Sequence, residues 1–553
     1  MADTMLKAAG HEEISLLSLS SGDYSCLEPL VIDLMNRYHS QRVALALPSL
    51  RVESLNTKLM EEIKRTRKTS FTLAPEAGTD KMRLIINKGN TSEDLLSTVD
   101  KIFAAGWKSI KLYFMIGLPY ETPEDLEGIV NLAYQALRTA KHRGQVTISL
   151  STFVPKPHTP FQWQRQISLE ETYASQEFIR QRIKNRNMSV KWHDARMSYL
   201  EGIFSRGDER AGTILESAFR KGCRFDGWSD ILRFDLWQEA ITESGINPDD
   251  FSREREINEK LPWDNIDCGV SREFLLKEKQ KSADQMATED CRFSGCVYCG
   301  TCDFLETKNI FAAKEAMEFP SSESPVPDVA PVKETKYRFT FSKTGRAGFL
   351  SHLELSAALI RALRRSSIRI TYTAGFHPHP KISFATATAV GMESKQEYAD
   401  ICAQEYTADF DSLIKEINLN LPAGVEILEI RKLSKEEKAI AQATQGFEYE
   451  LQLPAALDSS RLSAIKENIK NFLVASEFTI QKASKGKTVT KDIRPFVPGM
   501  ILDETGKKVN YTVLHIQEGS ARPIDIITHI LKFTDDEARK IKVVKIKTFL
   551  SQS

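Results

Sequence analysis

From residue 12 to about residue 195, short apolar runs alternate with amphipathic stretches, and this alternation restricts the front of the chain to βα units. The apolar runs are Ile14–Leu19, Val43–Leu47, Ser70–Leu73, Ser109–Ile116 and Val146–Phe153. Helical patterns fall at Leu27–Tyr38, Leu55–Arg65, Ser92–Ala105, Pro123–Ala140 and Leu169–Ile183. Near-continuous apolar runs are those of parallel strands covered on both faces, so the expected fold is α/β, either a barrel or an open parallel sheet. Residues 196–285, rich in helix formers and Trp, predict a helical extension.

Ligands of parallel α/β sheets bind at the carboxyl ends of the strands. Each predicted strand ends in Gly, Pro or small polar residues: Ser20 to Tyr24, Pro48 to Arg51, Ala74 to Thr79, Gly117 to Thr122, and Val154 to Phe161. Within them, Asp23 and Glu76 suit an amine or a ribose hydroxyl, and Arg51 suits a carboxylate. Gly117 and Pro119 also suit an ordinary turn, Pro155 and Pro157 likewise, and Thr122 before Pro123 reads as a helix N-cap.

Four of the eight cysteines lie in one twelve-residue run, CRFSGCVYCGTC, as Cys291, Cys296, Cys299 and Cys302. The spacing C-x4-C-x2-C-x2-C, with Gly295 and Gly300 to turn the backbone, predicts a metal site. Its inner part matches an iron–sulfur loop and also a zinc knuckle, so an iron–sulfur cluster and zinc both remain open. A disulfide pair or buried free thiols is the structural alternative.

Lys plus Arg equals Asp plus Glu at 75 each, so bulk charge selects no partner, and a 553-residue chain predicts several domains. The acidic opening MADTMLKAAGHEE and the lack of any span-length apolar run predict a soluble cytoplasmic protein away from membranes. Phe319–Thr335, with four prolines, predicts a flexible linker. Behind it, two successive β-α-β-β-α-β passes are expected, as tandem ferredoxin-like units. The first comprises strands Tyr337–Phe341, Ile368–Thr373, Tyr398–Gln404 and Val425–Lys432 with helices His352–Arg365 and Phe410–Leu419. Basic residues there, among them Arg361, Arg364, Arg365 and Lys381, interleave with aromatics and with His377 and His379, a pattern suited to RNA and equally to a solvated helix face.

Several motifs together resemble the radical S-adenosylmethionine (SAM) superfamily: SLLSLSSGDY, LPSLR, FTLAPEAGTDKMRLIINKG, KLYFMIGLPYETPEDL and STFVPKPHTPFQW look like successive strand ends of its partial (β/α) barrel. The sequences WHDARMSYLEGIFSRGDER, CRFDGW, YRFTFSKTGRAGFLSHLEL, AGFHPHPKISFATATAVGMESKQEYADI, KDIRPFV and GSARP resemble a subgroup with a cobalamin-binding domain in front and a radical-SAM-associated (DUF2344-like) domain behind. The implied layout is a radical SAM barrel lacking its first strand at 1–195, a helical, Cys-rich extension at 196–312, a linker at 313–335 and an α+β domain at 336–553.

The resemblance implies SAM contacts at Asp23, Arg51, Glu76, Gly117, Pro119, Pro155 and Pro157. It also implies a 4Fe–4S cluster on C-x3-C-x2-C, in which three thiolates leave one iron open for the methionyl group. The chain contains no such spacing. The first strand, the cluster loop and any cobalamin domain are therefore expected on a separate or upstream polypeptide. With it, the protein would cleave SAM reductively and modify RNA or an RNA-associated protein; a metal-containing RNA-binding adaptor is the alternative.

Overall fold

The computed structural model describes the chain except residues 18–20, 48–56, 67–70, 142–143, 292, 311–332, 375–377, 456, 485–486, 516–518 and 552–553. It divides into two compact units, Glu13–Ser324 and a second made of Pro325–Ser553 together with Met1–Glu12. The first twelve residues thus group with the trailing unit. Most of the expected linker lies outside the described residues. Among the described residues no helix is long and apolar enough to cross a membrane.

In the first unit, β1 (Glu13–Ser15) and β2 (Ala44–Ala46) pair in parallel, and β3 (Phe71–Glu76), β4 (Ser109–Ile116), β5 (Gln145–Thr152) and β6 (Met188–Trp192) form a second, fully parallel sheet in that order. The connecting helices cover one face. Leu73, Leu112, Phe114, Ile148 and Leu150 of the strands pack in one core with Val99, Ile102, Ile129, Ala133, Leu137 and Ile179 of the helices.

The other face departs from the expectation of strands buried on both sides. Burial alternates along β3 and β4, and the half-buried side carries polar groups: Lys111 donates to the Tyr113 hydroxyl at 2.8 Å, and Thr147 and Ser189 hydroxyls meet at 3.1 Å. That alternation is what a sheet shows when only one face is sealed and the other is partly open.

Behind the sheets, helices Ala195–Arg206, Ala211–Arg220, Phe234–Ser244 and Arg272–Ala283 build the expected extension. The first three share a small core of Ile203, Ile214, Trp237 and Phe251.

The trailing unit centres on one large sheet. Its strands are β7 (Glu334–Lys343), β8 (Ile382–Phe384), β9 (Met392–Gln404), β10 (Val425–Lys432), β11 (Thr444–Gln452), β14 (Gly499–Leu502), β15 (Lys508–Leu514) and β16 (Lys542–Leu550), while β12 (Thr479–Ser484) and β13 (Lys487–Asp492) form a separate hairpin. The order is β10-β7-β9-β16-β11-β15-β14, with β8 beside β9. One expectation shifts: Ile368–Thr373 makes only isolated bridges, at Ile370 and Tyr372, and the strand falls at β8 instead.

The buried ion pair of Arg338 and Asp400 fixes β7 on β9. Two guanidinium bonds of 2.7 and 2.9 Å are completed by the Ile440 N–H on Asp400 and by the Lys438 carbonyl accepting from Arg338. The pair is thus bonded both within itself and to the backbone, the condition under which a buried ion pair is tolerated.

Candidate cofactor face and cysteine loop

Three of the expected strand-end loops sit side by side at the carboxyl ends of β3, β4 and β5, and each is shaped by close packing. Glu76 closes β3 with a left-handed φ of 66°, a conformation uncommon outside glycine. Its carboxylate is half-buried, 3.3 Å from Lys88 Nζ. Two residues on, a Cβ at Gly78 would stand 2.2 Å from the Ile129 backbone nitrogen, so only glycine fits against helix Pro123–Thr139.

Thr79 caps the next helix and also donates to Asp125 Oδ1 at 2.8 Å, while Lys81 bonds the other oxygen. Asp125 is therefore more than the second half of the Thr122 capping box; it clasps the β3 loop to the β4 helix. Burial opposes its charge, but the bonds from Lys81, Thr79 and Thr122 outweigh it and hold the carboxyl below its ordinary range.

The β4 loop turns at Gly117 with φ 77°, where a Cβ would meet Ile167 at 2.5 Å. The Gly117 N–H donates to Glu121 Oε2 at 2.7 Å. Burial of Glu121, reinforced by the nearby Asp125 charge, outweighs that bond and pushes its carboxyl up to about 7. The folded state then holds a proton that the unfolded chain has released, so this group's contribution is present at acid pH and is lost as pH rises from about 4.5 towards 7. Glu121→Gln keeps the acceptor and removes the charge. Melting curves from pH 5 to 8.5 are expected to converge at low pH and to show the variant more stable above pH 7, by up to about 3 kcal/mol.

The β5 loop, with Pro155 buried and Pro157 half-buried, is held from behind. Gln162 Oε1 accepts from the His158 N–H at 3.0 Å and from Trp263 Nε1 at 2.7 Å. Arg206 is fully buried, and its guanidinium donates to the carbonyls of Pro155, Gln162, Phe251 and Arg253 at 3.0 to 3.3 Å. Burial, then the charges of Arg255 and Arg253, lower its pKa to about 10, still charged at neutral pH.

Of the sequence-derived contacts, Glu76, Gly117, Pro119, Pro155 and Pro157 thus share one end of one sheet. Asp23 ends the short turn Ser21–Asp23 behind β1, and Arg51 lies outside the described residues. Glu121, Asp125, Lys81 and Arg206 were not singled out in the sequence, because their partners are set by packing and not by local spacing.

Helix Arg272–Ala283 leads to the cysteine loop and is docked on the β3 loop region. Ser282 donates to the Ile85 carbonyl at 2.7 Å, and the Thr288 N–H to Asn87 at 2.9 Å. Left-handed residues at Gly295, Tyr298, Gly300 and Phe304 fold the run back on itself. As a result Cys291, Cys296, Cys299 and Cys302 all line one cavity of about 320 Å³, with Tyr298, Phe304 and Asn309.

Hydrogen bonds from Thr301 lower the Cys299 thiol, whereas partial desolvation and the neighbouring Cys299, Cys296 and Cys291 raise that of Cys302. Among the described residues no three His, Cys, Asp or Glu side chains converge closely enough to hold a metal ion. The donor set of four thiols around one cavity fits zinc or an iron–sulfur cluster in chemistry, and ligation requires the thiols to close inward.

An open-iron SAM cluster does not fit. No C-x3-C-x2-C occurs, and Cys26, behind the first expected strand Ile14–Leu19, is buried.

Of the RNA-binding candidates, Arg361, Arg364 and Arg365 stand together at the end of helix His352–Arg364. Arg364 bonds the Tyr372 hydroxyl at 2.5 Å and faces Glu12 at 3.6 Å. Arg365 donates to the carbonyls of Ala8, Arg361 and Asn420, and Lys381 pairs with Glu334 at 2.8 Å. His379 is exposed, and His377 lies outside the described residues.

The family model of the radical SAM superfamily matches residues 2–133, and that described as "Uncharacterized protein conserved in bacteria (DUF2344)" matches residues 336–523. The chain therefore carries a radical SAM domain followed by a DUF2344 domain. Over 220 residues it is 30% identical to Uncharacterized protein MJ0966 of Methanocaldococcus jannaschii, an alignment covering 39% of this chain and 46% of that protein. The chain spans about half the length of that curated relative. Among solved structures it is similar to Ruminococcus gnavus sialic acid aldolase, wild type and catalytic lysine mutant, at 8% and 10% identity. These cover 50% of this chain and 98% and 97% of theirs, with TM-scores of 0.18, too low to define a shared fold.

Proposed function

We propose that the sheet β3 to β6 is the SAM-facing part of a radical SAM protein whose open-iron cluster comes from polypeptide outside these 553 residues. The Cys291–Cys302 loop is, in this reading, a separate four-thiolate metal centre. The observation that carries the proposal is the alignment of the Glu76, Gly117 to Pro119 and Pro155 to Pro157 loops at one end of a parallel sheet within a chain matched by the superfamily model. In this reading Glu76 accepts from a methionyl ammonium, and the tight β4 turn offers its backbone groups to the ligand.

In the trailing domain, the strand orders β10-β7-β9-β8 and β16-β11-β15-β14 support two β-α-β-β-α-β passes. The proposal includes neither cobalamin nor RNA as a resident partner, since Arg364, Arg365 and Lys381 are engaged within their own unit.

The metal part is tested by elemental analysis of purified protein. Cys296→Ala and Cys299→Ala are each expected to lower bound zinc or iron at least several-fold, and Cys26→Ala to leave it unchanged. Full metal content in both loop variants would remove the centre from the account. The SAM-facing part is tested by equilibrium dialysis of labelled SAM in the presence of a polypeptide bearing the C-x3-C-x2-C loop. Glu76→Ala is expected to weaken retention about tenfold, the scale of one charge-assisted hydrogen bond, and equal retention would contradict it.

A further inference from the structure

Across the trailing sheet, one row of directly opposed residues runs Val425 on β10, Lys343 on β7, Ser394 on β9, Lys545 on β16, Tyr449 on β11 and Tyr511 on β15. Opposed residues on neighbouring strands share a face, so two lysines flank Ser394 in the middle of the sheet. All six are buried, Lys343 and Ser394 completely and Lys545 to within 1%. The ladder is irregular beside them: the register shifts between Phe341 and Lys343 against β9, and between Glu448 and Tyr449 against β16. Bulges of this kind interrupt pairing and re-aim side chains, and they are over-represented beside active sites.

The buried charges do not balance. Lys545 Nζ bonds Glu397 at 2.6 Å, and Thr388 donates to the same carboxylate at 2.5 Å. Lys343 Nζ, in contrast, is buried with no hydrogen-bond partner. Elsewhere in the same sheet Arg338 and Asp400 bond each other and the backbone, so the orphaned ammonium is not the general habit of this unit. An unpaired buried ammonium is costly, and native proteins rarely keep one without a use. Two buried lysines thus share the one carboxylate of Glu397, which bonds Lys545, while burial lowers the Lys343 pKa from its ordinary value.

We propose that Lys343 is the donor of a buried anion subsite in the trailing domain, taking one negatively charged oxygen group, a carboxylate or a phosphate, of a ligand. Such a group supplies the missing acceptor for the Lys343 ammonium and neutralises the Lys343, Lys545 and Glu397 cluster. Ser394, between the two lysines, donates its hydroxyl to the Gln396 carbonyl at 3.3 Å and leaves the anion to the lysine. The Ala385–Gly391 segment, which has no regular secondary structure, is tied to the same cluster through Thr388 on Glu397 and is held by the Gly391 N–H on the Gly348 carbonyl at 3.0 Å. The subsite stands apart from the SAM-facing proposal and neither needs nor supports it.

The test is a thermal-shift titration of the full chain with inorganic phosphate and, separately, sodium acetate, each against sodium chloride at matched ionic strength. A saturable rise in Tm of several degrees is expected with one or both anions, as for any ligand that binds only the folded state. A response to phosphate alone assigns a phosphate group, and a response to acetate assigns a carboxylate. Lys343→Met is expected to fold, because replacing a buried charge by an apolar chain of similar length removes a desolvation cost, and to lose the shift. Lys432→Met, at an exposed lysine of the same unit paired with Glu405, is expected to retain it. Isothermal titration calorimetry of the unmodified chain, which needs no variant, is expected to give one site. No saturable response in the unmodified chain, or an equal response in Lys343→Met, overturns the proposal.

Discussion

After anaerobic reconstitution with iron and sulfide and addition of a reductant, the isolated chain is expected to release no 5′-deoxyadenosine from SAM above a protein-free control. Reductive cleavage in this superfamily needs an iron with a vacant coordination position, left by three thiolates, to which the methionyl amine and carboxylate bind. The only dense thiol group in these 553 residues is a run of four on one cavity. Four thiolates fill the four positions of a zinc ion or of a cubane cluster, so no iron remains open. Cys26, the thiol nearest in sequence to the first strand-end loop, is buried and has no neighbour at the required spacing. Addition of a polypeptide bearing the three-cysteine loop is the condition under which product is expected, and turnover by the isolated chain would refute the assignment of roles.

The second large effect is on stability. Arg206→Met is expected to destabilise the first unit by about 3 kcal/mol or more, since it removes charge-assisted bonds to four carbonyls that no other donor replaces. For a unit of this size the expected fall in Tm is roughly 4–6 °C. The damage should be local before it is global. The acceptors belong to the β5 loop at Pro155 and Gln162 and to the extension at Phe251 and Arg253, so limited proteolysis should cut first around residues 155–165. Arg206→Lys keeps the charge but cannot reach acceptors in four directions, and an intermediate loss is expected. A melting temperature unchanged in Arg206→Met would mean that the extension is held by its apolar core alone.

What was legible in the sequence was local. Ser109–Ile116, Leu27–Tyr38 and Val425–Lys432 appear in the structure with the bounds read from their patterns. Their periodicity and flanking turns act within a few residues. The strand Met188–Trp192 escaped notice because Ser189 and Lys191 face the half-open side and break the apolar run. The cysteine spacing was legible for the same reason that periodicity was: its donors are neighbours in the chain.

Long-range partners were not legible. Nothing near Arg365 in sequence reveals that the carbonyls of Ala8 and Asn420 accept from it. Lys343 stands in the same basic stretch of the sequence. Its burial follows from strand order, which brings β9 and β16 together from distant parts of the chain. Glu121 likewise read as part of a turn before a helix, and its raised pKa follows from enclosure that the turn itself does not encode.

The central claim is that the thiol centre of this chain is closed to SAM. Electron paramagnetic resonance of the reconstituted, reduced chain with and without SAM tests it most directly. The account predicts either no paramagnetic cluster, as for zinc, or a cluster whose spectrum is unchanged by SAM. A SAM-dependent shift of the cluster signal, abolished in Cys299→Ala, would show an open iron within this chain and contradict it.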